Sequence, residues 1–200
     1  AIGNFALNAQ NFTTATSTYN VAVGYAAGNA VTTGVNNTLI GGFAGDAITD
    51  ADENVAVGMN ALSTNTLGSS SVAIGHQALF AQNYTTATNA YNVAVGKNAG
   101  VSVTTGVNNT LIGGLAGDAI TTANSVVAVG LGAAGAITTG SNNVAIGQNA
   151  LATNTTGASN VAVGHESLLT STAANNTGVG FQSLRANTTG SSLVAVGKGA

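Results

Sequence analysis

The sequence predicts an all-β fold, a parallel β-roll (β-solenoid) of about twelve 17-residue coils, and three observations carry that prediction. The first is one phrase, Val or Ile followed by Gly, two variable residues and then Ala or Ser, which recurs along the whole chain. The second is its period. The glycines are Gly3, Gly24, Gly41, Gly58, Gly75, Gly96, Gly113, Gly130, Gly147, Gly164, Gly180 and Gly197, at spacings of 21, 17, 17, 17, 21, 17, 17, 17, 17, 16 and 17. A fixed period of this length is the mark of a stacked-repeat architecture. The third is a composition that is apolar without being bulky: 44% of 200 residues are hydrophobic, but 4% are aromatic and 4% charged, with 28 Gly, no Pro and no Cys. An average soluble domain is roughly a quarter charged, so the surface of an ordinary globular enzyme is excluded.

Counting from the strand-end glycine, position −1 is Val or Ile in all twelve copies, and −3 is Val or Thr wherever present. Between them lies Ala, except at Leu39, Leu111 and Gly178. This alternation is a short strand with branched side chains on one face and small ones on the other. β-Branched residues and glycines at this density oppose a helix. Position −4 is Asn in eight copies, namely Asn20, Asn37, Asn54, Asn92, Asn109, Asn143, Asn160 and Asn176. Stacked at about 4.8 Å, these side chains are expected to form a ladder in which each carbonyl accepts from the next amide. Position −7 is Gly in six copies, Gly34, Gly68, Gly106, Gly140, Gly157 and Gly190, usually after two Thr, which predicts a turn with positive φ. Seventeen residues less two turns leave room for two strands of about five residues per coil, the second ending at that glycine.

In-register stacking also accounts for the missing charge. Each position meets its own copies directly above and below, and like charges so placed repel. A longer period lies on top: residues 12 to 50 match residues 84 to 122 at an offset of 72. Residues 1–200 therefore read as one continuous repeat domain, without an internal boundary. Both 21-residue spacings contain a four-residue insertion carrying two aromatics, Phe12 and Tyr19 in the first and Tyr84 and Tyr91 in the second. The two loops are expected about 19 Å apart along the roll. Their aromatics are candidates for contact with a sugar or a protein partner, although covering the bulged strand or lying between chains is the favoured reading.

Three Lys plus Arg exclude a phosphate-tracking nucleic-acid binder. Mean hydropathy is +0.32, yet the longest run without a polar side chain, Val126 to Ile137, contains three glycines and is far short of the roughly 20 residues of a spanning helix. Scattered aromatics do not supply the girdles of a membrane barrel, so no membrane insertion by this segment is expected. Opening at Ala1 without Met or a signal peptide, and stopping within the pattern, the sequence reads as a processed chain or an excerpt of a longer one.

The phrases NVAVG at Asn20–Gly24, NVAIG at Asn143–Gly147 and NVAVG at Asn160–Gly164 resemble the repeats in head domains of trimeric autotransporter adhesins. The NTTG and VAIGxxAL phrases also resemble repeats in fibres of tailed phages. The resemblance covers essentially the whole chain, although the coils are longer than those of adhesin heads and two carry insertions. It implies a left-handed parallel β-roll, three chains side by side about a threefold axis, and exposure at a cell or virion surface.

Sharper chemistry is weighed against the repeat. VVAVGLGAAG, Val126 to Gly135, contains GxGxxG after a strand, but other coils give VAVGYAAG and VAVGKNAG in the same register, and no acid follows about 20 residues on, where a ribose contact belongs. It reads as a repeat variant, and no cofactor is expected. GGFAGDA and GGLAGDA, from Gly41 and Gly113, are similar to calcium-binding nonapeptides, but Asp46 and Asp118 stand four coils apart where those repeats need an acid in nearly every coil. Asp46, Asp50, Asp52 and Glu53 form one acidic cluster, a weak cation candidate and otherwise a solvated turn. His76 and His165 fall at the outward corner position +1 without a nucleophile and orienting acid, so no triad is supported. The expected function is that of a non-enzymatic fibrous surface protein, the shaft or head of an adhesive fibre, self-associating as a parallel trimer and meeting a surface glycan or protein receptor. The alternatives are a homopolymeric matrix filament and, third, an ice binder, against which Thr-Ala-Thr occurs only at Thr14–Thr16 and Thr86–Thr88.

Overall fold

The computed structural model describes residues 1–12 and 17–200, so Thr14 and Thr16 of the first Thr-Ala-Thr lie outside the described residues. The described chain is all-β and a parallel solenoid. Its strands are β1 (Val21–Val23), β2 (Thr38–Ile40), β3 (Val55–Val57), β4 (Gly68–Ser69), β5 (Val72–Ile74), β6 (Thr88–Asn89), β7 (Val93–Val95), β8 (Thr110–Ile112), β9 (Val127–Val129), β10 (Val144–Ile146), β11 (Val161–Val163), β12 (Thr177–Val179) and β13 (Val194–Val196). Eleven of them form one sheet in chain order, with β4 and β6 outside it. Every pairing is parallel, and within the eleven-stranded sheet like position lies on like: Val127 on Val144, Ala128 on Ala145, Val129 on Ile146. An isolated parallel bridge from Ile2 to Val23 adds a twelfth rung. A 16-residue coil keeps this register between β11 and β12, and the second insertion keeps it between β5 and β7.

The second strand expected in each coil is not formed. Among the described residues a second ladder occurs only where β6, in the second insertion, lies on β4. Elsewhere the far side of the coil is a run of turns, because three positions per coil are left-handed. Around Gly58 these are Glu53 (φ 59°), Asn60 (φ 58°) and Leu62 (φ 54°). Such residues break the extended path but not the bonding between coils: the Leu62 N–H donates to Ala78 O at 3.0 Å and the Thr64 N–H to Phe80 O at 3.2 Å. Among the described non-glycine residues with positive φ, none is Val, Ile or Thr, as the steric cost of the left-handed region for branched side chains requires.

The strand-end glycines have φ between 129° and 138°, a region open essentially to glycine alone. All but the last, Gly197, also meet their copy in the next coil: a Cβ on Gly58 would lie 2.6 Å from Gly75 O. The glycines at −7 correct the sequence-based expectation, since their φ is not positive. They are small for lack of room, a Cβ on Gly34 lying 2.5 Å from Ala51 O.

The branched residues face outward and the central residue of each strand faces in. Ala22, Leu39, Ala56, Ala73, Ala94, Leu111, Ala128, Ala145 and Ala162 are fully buried. A buried column at +3, including Ala27, Ala44, Ala61 and Ala78, lies beside them. Positions +4 and +7 fill the remaining interior in one of two ways. Where +4 is Gly or Ala, +7 is a buried Val or Ile, as at Val31, Ile48, Val103, Ile120 and Ile137; where +4 is Leu, +7 is Asn, Gln or Ser. Leu39 and Leu111 belong to this exchange: a Cβ on Gly28 would lie 2.6 Å from Leu39 Cδ1, and one on Gly100 2.6 Å from Leu111 Cδ1. Volume is held nearly constant from coil to coil, as close packing demands.

The asparagines at −4 stack, but not amide to amide. Asn54 shows the arrangement: its Nδ2 donates to Gly68 O at 3.0 Å and its Oδ1 accepts the Ser71 N–H at 3.0 Å. Asn20 serves Gly34 and Asn37, Asn92 serves Gly106 and Asn109, and Asn143 serves Gly157 and Asn160 in the same way. Asn160 serves Ala173 and Asn176. Each side chain thus pegs two backbone groups of the following coil that would otherwise be buried unpaired, at about 1–3 kcal/mol each. Direct amide–amide contact is secondary, 3.2 Å from Asn160 to Asn143 and 3.4 Å from Asn37 to Asn20.

The neighbours Gly113 and Gly114 contrast a required glycine with one that is not. A Cβ on Gly113 would lie 2.5 Å from Gly130 O at φ 133°, whereas on Gly114 it would meet only Leu131 Cδ1, at 3.4 Å. Gly113→Ala is expected to cost about 3 kcal/mol or more and Gly114→Ala to stay within about 0.5 kcal/mol, read from denaturant midpoints.

Candidate interaction surface

The largest candidate surface is the outer face of the eleven-stranded sheet. Positions −3 and −1 of every strand project there, so Val, Ile and Thr line it from Val21 to Val196. The alternation of each strand sets this orientation: the fully buried central Ala forces its two branched neighbours to the other side. Ile40, Ile74, Ile112 and Ile146 are among the exposed large hydrophobic residues. Branched apolar side chains repeated in register on solvent are the kind of patch that marks an interaction site.

Two corners border this face. At the exit corner, positions +1 and +2, the inter-coil ladder continues, with the Phe43 N–H donating to Tyr25 O at 2.9 Å and the Leu115 N–H to Lys97 O at 3.0 Å. At the entry corner, position −5, the Asn36 N–H donates to Thr18 O at 2.8 Å and the Ser125 N–H to Val107 O at 3.0 Å. Both corners present variable side chains from a fixed backbone.

The four insertion aromatics are not equivalent. Tyr19 and Tyr91 are exposed at the entry corner, and Phe12 is half-buried. Tyr84 is buried, which corrects its assignment as a surface contact. It fills space beneath the insertion, where its hydroxyl donates to Gly106 O at 2.8 Å and accepts from Asn92 Nδ2 at 3.3 Å. Gln82 completes this buried network, donating to Ser71 Oγ at 3.0 Å and accepting from Asn92 Nδ2 at 2.9 Å. Burial, partly offset by the Asn92 hydrogen bond, pushes the Tyr84 phenol up to about 12.

The acidic candidates do not converge. Asp46 accepts from Ser63 Oγ at 2.7 Å, Asp52 from the Val35 N–H at 2.8 Å, and Glu53 from Ser70 Oγ at 3.3 Å. Asp50 accepts from the Thr32 and Thr33 hydroxyls, which hold its carboxyl below the ordinary range, Thr33 most strongly. Among the described residues no three His, Cys, Asp or Glu side chains form a metal-binding group. Asp118, half-buried, is shifted upward by burial. His165 stacks on Phe181 at 5.3 Å and 10°, with Lys198 5.8 Å from that ring's centre. Beside it Glu166 takes Gln182 at 2.8 Å and Arg185 at 2.7 Å, and these two bonds lower its carboxyl. His76 and His165 are half-buried, each with an unpaired Nδ1. The aromatic corner formed by Phe5, Tyr25 and Phe43, with ring centres 5.9 and 5.2 Å apart, is absent from the sequence-based candidates. Its signal was available, since these three are large residues at the corner positions +1 and +2.

Comparison with protein-family models, with curated proteins and with solved structures finds no match to this chain.

The raised Tyr84 phenol couples pH to stability. A folded value above the ordinary 10.0 gives stability that is complete below pH 10 and is lost as the pH rises from 10 towards 12. Ultraviolet titration is expected to show one phenol ionising near 12. Tyr84→Phe should lose that component and flatten the alkaline fall in stability.

Proposed function

We propose that this chain is a non-enzymatic, rod-forming segment of an extracellular fibre, the shaft or head of an adhesin or tail fibre, working as a side-by-side parallel trimer. The observation that carries the reading is the outer sheet face, where every rung presents branched apolar or Thr side chains and none presents a charge. That strip is about 10 Å wide and about 50 Å long, on the order of 500 Å², and the two corner columns roughly double it, beyond the ~800 Å² per partner of a stable interface. Association of copies through this face removes it from water. Parallel chains suit the arrangement because the face has the same rise in every copy, so rungs of neighbouring chains stay level along the whole length. The resemblance to adhesin heads and phage fibres points the same way.

The mechanism in this reading is stiffness and display. Two layers of bonding link each coil to the next, the sheet ladder and the asparagine pegs, so the rod resists bending while corner residues vary without disturbing the interior. A receptor, glycan or protein, is then met by side chains on the turn side of the coils, outside the associating face and its corners, at the end of an assembly that holds them away from the surface bearing it.

Light scattering on the dilute protein is expected to give the mass of three chains. A single-chain mass would sink the reading, and a broad distribution would favour an end-to-end filament. Val129→Asp, on the outer face between Ile112 and Ile146, should dissociate the assembly to single chains with an unchanged circular dichroism spectrum.

A further inference from the structure

A face that repeats at every rung cannot fix its own register. Sliding a neighbouring copy by one coil, about 4.8 Å, puts Val and Ile against Val and Ile again. The register must come from residues that do not repeat, and the large ones lie at the two corners.

At the exit corner the first four rungs carry Phe5, Tyr25, Phe43 and Met59, exposed to 48, 50, 41 and 52%. Phe5 and Tyr25 meet edge to face at 87°, and Tyr25 and Phe43 at 71°. The next two rungs are polar, with His76 and Gln77, then Lys97 and Asn98. At the entry corner nine of eleven rungs carry Asn, Ser or Glu, and the exceptions are Tyr19 and Tyr91, exposed to 76 and 56%. Both are held left-handed, at φ 47° and 49°, where a bulky side chain is uncommon. Tyr19 stands on the rung of Tyr25, and Tyr91 on the rung of Lys97.

We propose that the entry-corner tyrosine of one copy docks on the exit-corner aromatic ladder of a second copy at the same level, Tyr19 against Phe5, Tyr25 and Phe43, and that this contact sets the axial register of the assembly. It rests on the reading that copies associate side by side. Entry and exit corners are opposite ends of one rung, so a contact joining them at one level relates parallel chains by rotation about the rod axis, and repeating that rotation closes a ring. An antiparallel pair would set each corner against itself. In register, Tyr91 falls against Lys97, where an aromatic ring and a cation attract. A four-coil slip, the one that the 72-residue internal repeat invites, brings Tyr91 instead of Tyr19 onto the ladder. It also reduces the shared strands of the sheet from eleven to seven.

Dityrosine coupling by photo-oxidation reads this contact on the intact chain, because two phenols join only when their rings approach, each giving one electron to the oxidant and losing one proton. Light scattering on the same sample reports the mass. The expected result is a covalent multimer on a denaturing gel, with Tyr19 joined to Tyr25 between chains by mass spectrometry. The product should disappear in Tyr19→Phe and in Tyr25→Phe and persist in Tyr91→Phe. Tyr19→Ala should raise the concentration at which the assembly dissociates by about tenfold. A Tyr91–Tyr25 link would establish the slipped register, and Tyr19–Tyr19 or Tyr25–Tyr25 links an antiparallel pair; either overturns the proposal. An assembly of the right mass with no link overturns it while leaving side-by-side association intact, and a single-chain mass removes both.

Discussion

Each coil stands directly on the one before, and the tightest point of that stack is the strand-end glycine. With φ near +133° and the next glycine's carbonyl where a Cβ would be, it admits one residue type and one height. The rest follows from holding that point in register. Sheet strands pair like on like, the −4 asparagine finds the same two backbone groups each time, and the coil length stays at 17 except for one coil of 16 and two of 21. The acids fit the same rule. Asp46, Asp50, Asp52 and Glu53 lie in one coil, and their partners above and below are Ser and Thr hydroxyls and a backbone N–H, never their own kind. Charge survives where the adjoining coils offer donors.

The same constraint decides what faces where. A coil this narrow has room inside for Ala in the strand with Leu at +4 or Val or Ile at +7, and Leu39 and Leu111 enter from the strand only where +4 is Gly and leaves space beside Ile48 and Ile120. The bulk of the branched residues is therefore on the outside, the reverse of a globular β-domain. In the assembly proposed above other copies bury it, which links interior geometry to that proposal. The variable corners are left free to differ, because neither the glycine column nor the core depends on them.

Much of this was legible in the sequence. The period, the strand, the parallel register and the glycine column are all visible because each is a residue-type requirement repeated in one chain. Other features were hidden for physical reasons. The VAV triplet looks the same whether Val or Ala points in, and only the volume of a closed coil settles it. The second strand was expected from length alone, whereas left-handed residues such as Asn60 and Leu62 turn the chain there. Their signature, the absence of Val, Ile and Thr at +2, +4 and −5, lies in what a column lacks. The glycine after two Thr was read as a torsional requirement and is a matter of space beside Ala51 O. Tyr84 and Tyr91 are equally aromatic in sequence, but one has a buried carbonyl and amide waiting beneath the insertion and the other meets only the exposed Asn89 amide.

If register at 17 residues is the governing constraint, a coil is a removable unit. Deleting Val144–Asn160 takes out one coil and sets β11 on β9, bringing Leu168 and Ser171 to the places of Leu151 and Asn154. Small-angle scattering is predicted to show a rod about 5 Å shorter, with cooperative unfolding retained, while removing ten residues from the same region should unfold that part of the stack. Loss of folding on the one-coil deletion, or equal tolerance of both deletions, would contradict the account.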